Sequence, residues 1–257
     1  MNRSHAFTTI GASLIPAGLP ALLGDSDEPS TKKGWAGSKT RFHKPFGAQW
    51  YYNWTPGWQA NQGIEFVPMI KTASDLKKLG AIRQNKSAKF LLGFNEPERK
   101  KQGSLPVQQA LGHWPEIQKL AKEKNIPLGS PAPSSDRAGL AWLDEFMKQA
   151  KKKDLRIDFM ALHYYRSRDP DDFENFIEGI SKKYKLPIWV TEFNGWAGDE
   201  NENYRFLKKA LRYLERSTDV QRYAYFNPPA GKPHSLIDKN GEPTRMGKLY
   251  QDTQYGF

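Results

Sequence analysis

Two glutamates, Glu96 and Glu192, each stand where a short apolar run gives way to polar residues. The run before Glu96 is FLLGF (residues 90–94), and the run before Glu192 is IWV (residues 188–190). Runs of this length are typical of buried parallel strands, and Pro97 favours a strand end because proline cannot donate to a sheet ladder. Two carboxylates at two strand ends are the groups that glycoside hydrolysis uses, although each glutamate would also be ordinary on the surface beyond a strand.

A histidine and a tyrosine close a third apolar run, DFMALHYY (residues 158–165). Because side chains alternate along a strand, His163 and Tyr165 share one face with Phe159 and Ala161. If that face leads to the same mouth as the glutamates, the imidazole can hydrogen-bond a carboxylate or a sugar hydroxyl. A core histidine with satisfied hydrogen bonds is an equally good interpretation.

A dense aromatic patch, WYYNW (residues 50–54), ends another strand-like run, and a further tryptophan lies in a later loop. Sugar C–H faces pack on aromatic rings, while amide and phenol groups contact hydroxyls. The candidates for substrate binding in these two places are Tyr52, Asn53, Trp54 and Trp196. Aromatic size also suits a core, which is the interpretation favoured for Trp50. Nucleic-acid binding uses aromatic rings as well, so the patch alone does not identify the ligand.

Eight strand-like runs and five helical patterns must position these side chains. The predicted strands are residues 33–37, 48–54, 64–70, 89–95, 127–130, 157–165, 187–193 and 222–226. The predicted helices are residues 105–124, 140–151, 172–183 and 201–216, with a weaker pattern at 74–82. Their alternation predicts an α/β fold, a (β/α)8 TIM-type barrel that lacks outer helices between the first strands. A doubly wound sheet is the competitor, but the chain has no GxGxxG or GxxxxGK[ST] motif.

The composition excludes several classes of function. The chain has 257 residues and no cysteine, which removes disulfides, thiolate metal sites and a cysteine nucleophile. Its five histidines show no metal-ligand spacing, so we expect no metal and no cofactor. The net charge of +11 would suit nucleic acid, but the lysines are scattered in runs such as 151–153 and 182–183, which indicates solvated helix ends.

The N-terminal segment differs from the remainder of the chain. Residues 1–30 begin with Arg3 and His5, continue with a moderately apolar stretch and end in polar residues. This pattern predicts a signal peptide for secretion or periplasmic export, or else a disordered segment. Pro16 and Pro20 make a stable membrane span a poor interpretation. Residues 31–257 are then expected to form a single catalytic domain, which we expect to be a monomer.

The ordered motifs of the chain resemble glycoside hydrolase family 128, a group of endo-β-1,3-glucanases within the glycoside-hydrolase catalytic core. The similarity extends from about residue 32 to residue 251. It is carried by WYYNW (50–54), EFVPMI (65–70), LLGFNEPE (91–98), LGSPAP (128–133), DFMALHYY (158–165), WVTEFN (189–194), RYAYF (222–226) and TRMGKLYQD (244–252).

The resemblance implies a retaining enzyme that cleaves β-1,3-glucan within the chain by double displacement. Glu96 matches the acid/base after the fourth strand, and Glu192 matches the nucleophile after the seventh. Asn95 then contacts the sugar 2-hydroxyl, while His163 and Tyr165 line the catalytic subsite. The chain departs from the family pattern at Glu98, Tyr164 and Tyr225, which leaves the subsite shape open.

Other functions stay open at this point. Another β-glucan or an algal polysaccharide would suit the same residues, and a carbohydrate-binding protein without turnover would keep the same cleft. The presence of both glutamates argues against the second alternative. A nucleic-acid partner is motivated by the net charge alone, so we expect a β-glucan polysaccharide or oligosaccharide as the ligand.

Overall fold

The computed structural model describes residues 29–57, 63–196 and 198–254, and its centre is a sheet of six parallel strands. The predicted export segment therefore lies outside the described residues, apart from Pro29 and Ser30. The strands are β1 (Lys33–Ala36), β2 (Trp50–Tyr52), β3 (Glu65–Phe66), β4 (Met160–Tyr164), β5 (Ile188–Phe193) and β6 (Val220–Tyr225). They lie in the order β3-β2-β1-β6-β5-β4, so β3 and β4 form the two edges.

Two short segments, residues 91–95 and 128–132, connect these edges. Parallel bridges join Met69 to Leu92, Leu91 to Leu128, Asn95 to Ala132 and Gly129 to Phe159. The segments pair through bridges, not full ladders, because the prolines at positions 68, 127 and 131 have no N–H to donate. Eight parallel strand positions thus complete a ring, which confirms the predicted (β/α)8 fold.

The inside of the ring is filled by side chains from alternate strand positions. They are Ala36, Trp50, Tyr52, Val67, Met69, Leu92, Ala132, Phe159, Ala161, Trp189 and Ala224. Glycine makes room for the largest rings, since a Cβ on Gly34 would lie 2.3 Å from the Trp50 indole and one on Gly129 would lie 2.5 Å from the Phe159 ring. The predicted inward face of residues 159–165 is therefore confirmed, as is the core position of Trp50.

Helices pack around the ring and cover its outer face. They are α1 (Leu79–Gln84), α2 (Val107–Lys124), α3 (Arg137–Lys152), α4 (Pro170–Tyr184), α5 (Glu200–Arg216) and α6 (Arg245–Asp252). All five predicted patterns are helical, and the weak one at 74–82 divides into a 3-10 turn and α1. The short helix α6 was not predicted. Between β1 and β3, the described residues contain one 3-10 turn, Thr40–Phe42, and no α-helix.

Lysines at helix ends account for much of the positive charge. Lys151 and Lys152 lie in the last turn of α3, and Lys182 and Lys183 lie in the last turn of α4, which confirms the predicted location of these runs. Cations there complement the helix dipole. Within the described residues, each helix is too short or too polar to cross a membrane.

Candidate active site

The register between β4 and β5 brings a histidine and a glutamate side by side at the carboxyl end of the barrel. His163 is the pairing partner of Glu192, and the register shifts between Leu162 and His163. A bulge of this kind redirects side chains at a barrel rim. His163 is fully buried as a side chain, and Glu192 is 7% exposed. The two strands therefore hold these groups against each other at the mouth.

Three side chains donate hydrogen bonds to the Glu192 carboxylate. Tyr52 Oη lies 2.9 Å and Trp54 Nε1 lies 2.8 Å from Oε1, while Tyr165 Oη lies 2.6 Å from Oε2. Burial, together with the charge of Glu192, raises the pKa of both tyrosines well above its ordinary value, so they remain protonated donors. Because both carboxylate oxygens accept, the three donors fix the orientation of the Glu192 carboxyl group.

Glu96 lies opposite, on a backbone that is held in an unusual conformation. Its φ is +39°, in the left-handed region that few non-glycine residues adopt. The neighbouring chain fixes this geometry: the Glu96 N–H donates to Ala132 O at 2.8 Å, and its carbonyl accepts from the N–H groups of Arg99 and Gly103. Strain that the surroundings enforce in this way is common at functional sites.

The imidazole of His163 lies between the two carboxylates. Nδ1 is 3.3 Å from Glu96 Oε1, and Nε2 is 3.3 Å from Glu192 Oε1. Burial alone would lower the pKa of His163, but the charges of Glu192, Glu96 and Glu98 and the Glu96 hydrogen bond outweigh burial and raise it above 6.5. The free protein therefore favours an imidazolium between two carboxylates.

The pKa of Glu96 shifts in the opposite direction. Burial alone would raise the pKa of Glu96. The hydrogen bond and charge of His163, with the charge of Arg99, outweigh burial and hold that pKa below its ordinary value of 4.5. The two shifts together favour the proton on the histidine and the ionised form of Glu96 in the free protein.

A cleft of about 680 Å³ opens above these groups. Its lining residues are Trp54, Lys71, Asn95, Glu96, Arg99, Gln102, Ser134, Ser135, Asp136, Tyr165, Arg166, Glu192, Trp196 and Phe226. Trp196 is 62% exposed, its φ is +60°, and its N–H donates to Asn194 Oδ1 at 2.8 Å. Its ring meets Tyr165 edge to face at 5.6 Å between centroids. An aromatic surface held out beside two acids suits a sugar ring.

The structure brings most of the predicted site residues to this cleft, but not all of them. Asn95 lines it, and its buried Oδ1 has no hydrogen-bond partner among the described residues. Tyr52 is fully buried beneath Glu192, so it contacts the carboxylate and not the cleft. Asn53 accepts a hydrogen bond from Thr55 and is absent from the cleft lining.

Several lining residues were not foreseen from the sequence. Phe226 follows β6, and its ring lies edge to face with Trp54 at 5.9 Å and with Tyr165 at 5.9 Å. Its carbonyl accepts from Asn194 Nδ2 at 2.9 Å, so the buried Asn194 positions both Phe226 and Trp196. The position directly after a strand was the available signal for Phe226. Arg99 lies in the turn after Glu96, where nothing in the pattern marked it.

The described residues contain no group of three or more acidic or histidine side chains that would hold a metal ion. The site instead offers two carboxylates, one imidazole and several neutral donors. Carboxylates can act as nucleophile, acid or base in displacement at a sugar carbon. The geometry therefore suits glycosidic bond cleavage by protein side chains.

Comparisons with known proteins agree with this chemistry. The family model described as glycosyl hydrolase catalytic core matches residues 30–250. A subgroup I endo-β-1,3-glucanase of glycoside hydrolase family 128 from Amycolatopsis mediterranei, solved with laminaritriose, is 28% identical, with a TM-score of 0.76, covering 87% of this chain and 100% of its own. A subgroup III curdlan-specific exo-β-1,3-glucanase of the same family from Blastomyces gilchristii, solved with glucose, is 30% identical, with a TM-score of 0.76, covering 87% and 98%.

A curated relative covers a smaller part of the chain. An uncharacterized hydrolase of Staphylococcus aureus is 28% identical over 91 residues, which is 31% of this chain and 34% of that protein. The match thus spans about a third of the relative's length. It agrees with a hydrolase but adds nothing about the substrate.

Proposed function

Because this chain belongs to the glycosyl hydrolase catalytic core family and, within it, to glycoside hydrolase family 128, we propose that it hydrolyses β-1,3-glucan with retention of the anomeric configuration. The observation that carries the proposal is the trio of Glu96, His163 and Glu192 at the floor of an aromatic cleft. Laminari-oligosaccharides bound to the Amycolatopsis relative support the substrate class.

Glu192 acts as the nucleophile in this proposal. The donors Tyr52, Trp54 and Tyr165 fix both of its oxygens, so little reorganisation is needed before attack on the anomeric carbon. The attack forms a glycosyl ester on Glu192 and breaks the bond to the leaving-group oxygen. As the carboxylate loses its charge, the long contact to His163 Nε2 weakens.

Glu96 acts as general acid and then as general base. A retaining enzyme needs this carboxyl protonated at the first step, whereas the free protein favours its ionised form. The missing proton on Glu96 Oε1 comes from His163 Nδ1 across their 3.3 Å contact, so none is taken up from solvent. Displacement of water by the bound sugar disfavours charge on Glu96 and promotes this transfer.

The second step reverses the path of the proton. Glu96 is ionised after it protonates the leaving oxygen, so it can take a proton from a water that attacks the ester on Glu192. That proton then returns to His163, and Glu192 is restored as a carboxylate. The trio holds one shared proton before and after turnover, and the overall charge is conserved.

We propose that the enzyme cleaves bonds within the glucan and not at its end. The exposed Trp196 lines the catalytic cleft, and Trp54 and Phe226 line both this cleft and a neighbouring cavity, which supports a glucan that extends beyond the catalytic residues. The relatives include both endo-acting and exo-acting enzymes. Product sizes will distinguish the two modes.

The experiment that tests this function is product analysis on laminarin and curdlan with wild type, Glu96→Gln and Glu192→Gln. We expect a range of oligosaccharides from the wild type alone, and proton NMR of the earliest product should show the β-anomer. An α-anomer would contradict retention, and glucose as sole product would contradict endo action. Retained glucan binding without any products would indicate a carbohydrate-binding protein.

A further inference from the structure

A second cavity, of about 550 Å³, adjoins the catalytic cleft. It lies above the carboxyl ends of β1 and β6, and its walls come from residues 35–42 and from the loop at residues 226–241. Trp54 and Phe226 line this cavity and the catalytic cleft alike. The two rings therefore form the boundary between the two spaces.

This boundary connects the second cavity directly to the reacting groups. The Trp54 indole donates to Glu192 Oε1 at 2.8 Å, and the same ring meets Phe226 at 5.9 Å between centroids. The second cavity therefore lies next to the space above Glu192, with these two rings between them.

The walls of the second cavity carry an excess of positive charge. Lys39, Arg41 and Lys239 line it, and within the described residues none of the three forms an ion pair. The guanidinium of Arg41 lies 4.7 Å from the centre of the Phe42 ring, which lines the same cavity. Three cations remain available to a ligand.

In the described part of the chain, the lining has a single acidic residue, Asp238, so three cations and one carboxylate leave it with an excess of two positive charges. Asp238 Oδ1 accepts hydrogen bonds from the N–H groups of Asn240 at 2.8 Å and Glu242 at 2.9 Å. This carboxylate therefore stabilises its own turn. A neutral glucan carries no charge that could pair with these cations.

The loop that carries Lys239 is held in place by hydrogen bonds within the described residues. Tyr225 Oη donates to His234 O at 2.6 Å, and Asn227 Oδ1 accepts from the Leu236 N–H at 2.7 Å. An antiparallel bridge joins Ile237 to Pro243. The wall is preformed, so a ligand would not have to order it on binding.

We propose that this second cavity binds a segment of the glucan that carries anionic groups, either carboxylates or sulfate monoesters. Such binding would give the enzyme a preference for anionic β-glucans. The inference rests on the proposed function, since it concerns the same bound polymer. Lys39, Arg41 and Lys239 attract the anionic groups, while Trp54 and Phe226 guide the chain from the catalytic residues. Cations at the rim of a binding site mainly increase the association rate and the selectivity for anionic ligands.

The test compares kcat/KM on carboxymethylated curdlan and on neutral laminarin at low ionic strength. We expect the wild type to favour the carboxymethylated polymer, and the triple variant Lys39→Gln/Arg41→Gln/Lys239→Gln to lower that ratio by about 10-fold, as three exposed ion pairs permit. Addition of salt should lower the wild-type ratio because it screens exposed charges.

A matched control is Lys151→Gln/Lys152→Gln/Lys153→Gln, which removes the same charge at the end of α3. It should leave the ratio unchanged. A ratio that is equal in wild type and in the cavity variant would overturn the inference, as would an equal loss in the control, which would indicate net charge alone. If the wild type leaves laminarin intact, the proposed function itself is wrong.

Inorganic sulfate separates a polymer site from a site for free anions. If the cavity binds the polymer, sodium sulfate should lower the ratio no more than sodium chloride does at equal ionic strength. Sulfate that abolishes the ratio at low millimolar concentration in the wild type, beyond the effect of sodium chloride at equal ionic strength, would identify a free-anion site and overturn the polymer assignment.

Discussion

The two ends of the barrel each hold largely buried acidic and cationic groups, and they differ in how completely those groups are paired. At the amino end, Arg222 donates to both oxygens of Glu65, at 2.9 and 3.1 Å. Its guanidinium also lies 4.5 Å from the centres of the Phe90 and Trp189 rings. Bidentate pairing with aromatic stacking satisfies this cation in the way that arginine favours.

The carboxyl end has a different arrangement. His163 contacts two carboxylates at 3.3 Å each, so neither contact is short. Trp54, Glu96 and Trp196 all have positive φ values, and all three line the cleft. Strain and loose pairing of charges persist only where the surroundings enforce them.

The comparison teaches that burial of charge has two uses in one barrel. At the amino end the charges are paired with each other, and at the carboxyl end two carboxylates surround a histidine whose proton the proposed mechanism uses. Changes at the amino end should therefore mainly alter stability, while changes at the carboxyl end should mainly alter catalysis.

The largest effect is expected from Glu192→Gln. We expect kcat to fall by about 10⁴-fold, because an amide cannot form the glycosyl ester. The melting temperature should stay the same or rise, since one of two adjacent buried carboxylates is removed. Initial rates on laminarin and thermal denaturation measure both. Glu65→Gln is the control at the amino end; a comparable loss of kcat in that variant would contradict the division between the ends.

The second prediction concerns Arg222→Met. It leaves Glu65 without its partner and removes the guanidinium from the aromatic rings, so the free energy of unfolding should fall by about 3 kcal/mol. The kcat on laminarin should be unchanged at a temperature where the variant is folded. Urea denaturation gives the free energy. The double variant Glu65→Leu/Arg222→Met should recover most of the loss, because no unpaired charge remains; no recovery would argue against the pairing explanation.

The third prediction concerns His163→Asn, which keeps polar contacts and removes the titratable ring. We expect kcat to fall by about 10²-fold, within the usual range for proton transfer. The alkaline limb of kcat/KM should move to lower pH, because the shared proton is then held by Glu96, whose ordinary pKa is 4.5, and not by an imidazole with a pKa raised above 6.5. A shift to higher pH would show that His163 acts only through its charge.

The same two pKa shifts make the stability of the folded protein depend on pH, and the two groups act in opposite directions. His163 has a raised pKa in the folded state, so its stabilising contribution is complete below pH 6.5 and is lost as the pH rises through the folded pKa. Glu96 has a lowered pKa, so its contribution is present above pH 4.5 and is lost as the pH falls through the folded value. Between pH 4.5 and pH 6.5, wild type should therefore have a higher melting temperature than His163→Asn.

The smallest effect is expected from Trp196→Ala. Loss of one exposed ring should raise KM on laminari-oligosaccharides by about 5-fold, the size of a single aromatic contact, with kcat nearly unchanged. Trp196→Phe should retain most of the affinity. Steady-state kinetics on a defined oligosaccharide measure the effect; a loss in kcat alone would mean that the ring contacts the reacting sugar and not a neighbouring one.

Much of this protein was determined by local patterns in the sequence. Apolar runs predicted the strands, and stripes at the helical period predicted α2 to α5. Glu96 directly follows the paired segment 91–95, and Glu192 lies next to the last residue of β5. Alternation also predicted that His163 and Tyr165 share the inward face. These features depend on residues close together in the chain.

Other features were decided only by the tertiary structure. Proline interrupts the ladders at positions 68, 127 and 131, so closure of the ring depends on bridges between distant residues. The location of His163 between both glutamates follows from the register of three strands. Tyr52, predicted as a substrate contact, is buried and donates a hydrogen bond to Glu192. The second cavity is built from the loops after β1 and β6, which lie far apart in sequence. A one-dimensional pattern specifies which face a side chain takes, but strand register and ring closure decide which side chains meet.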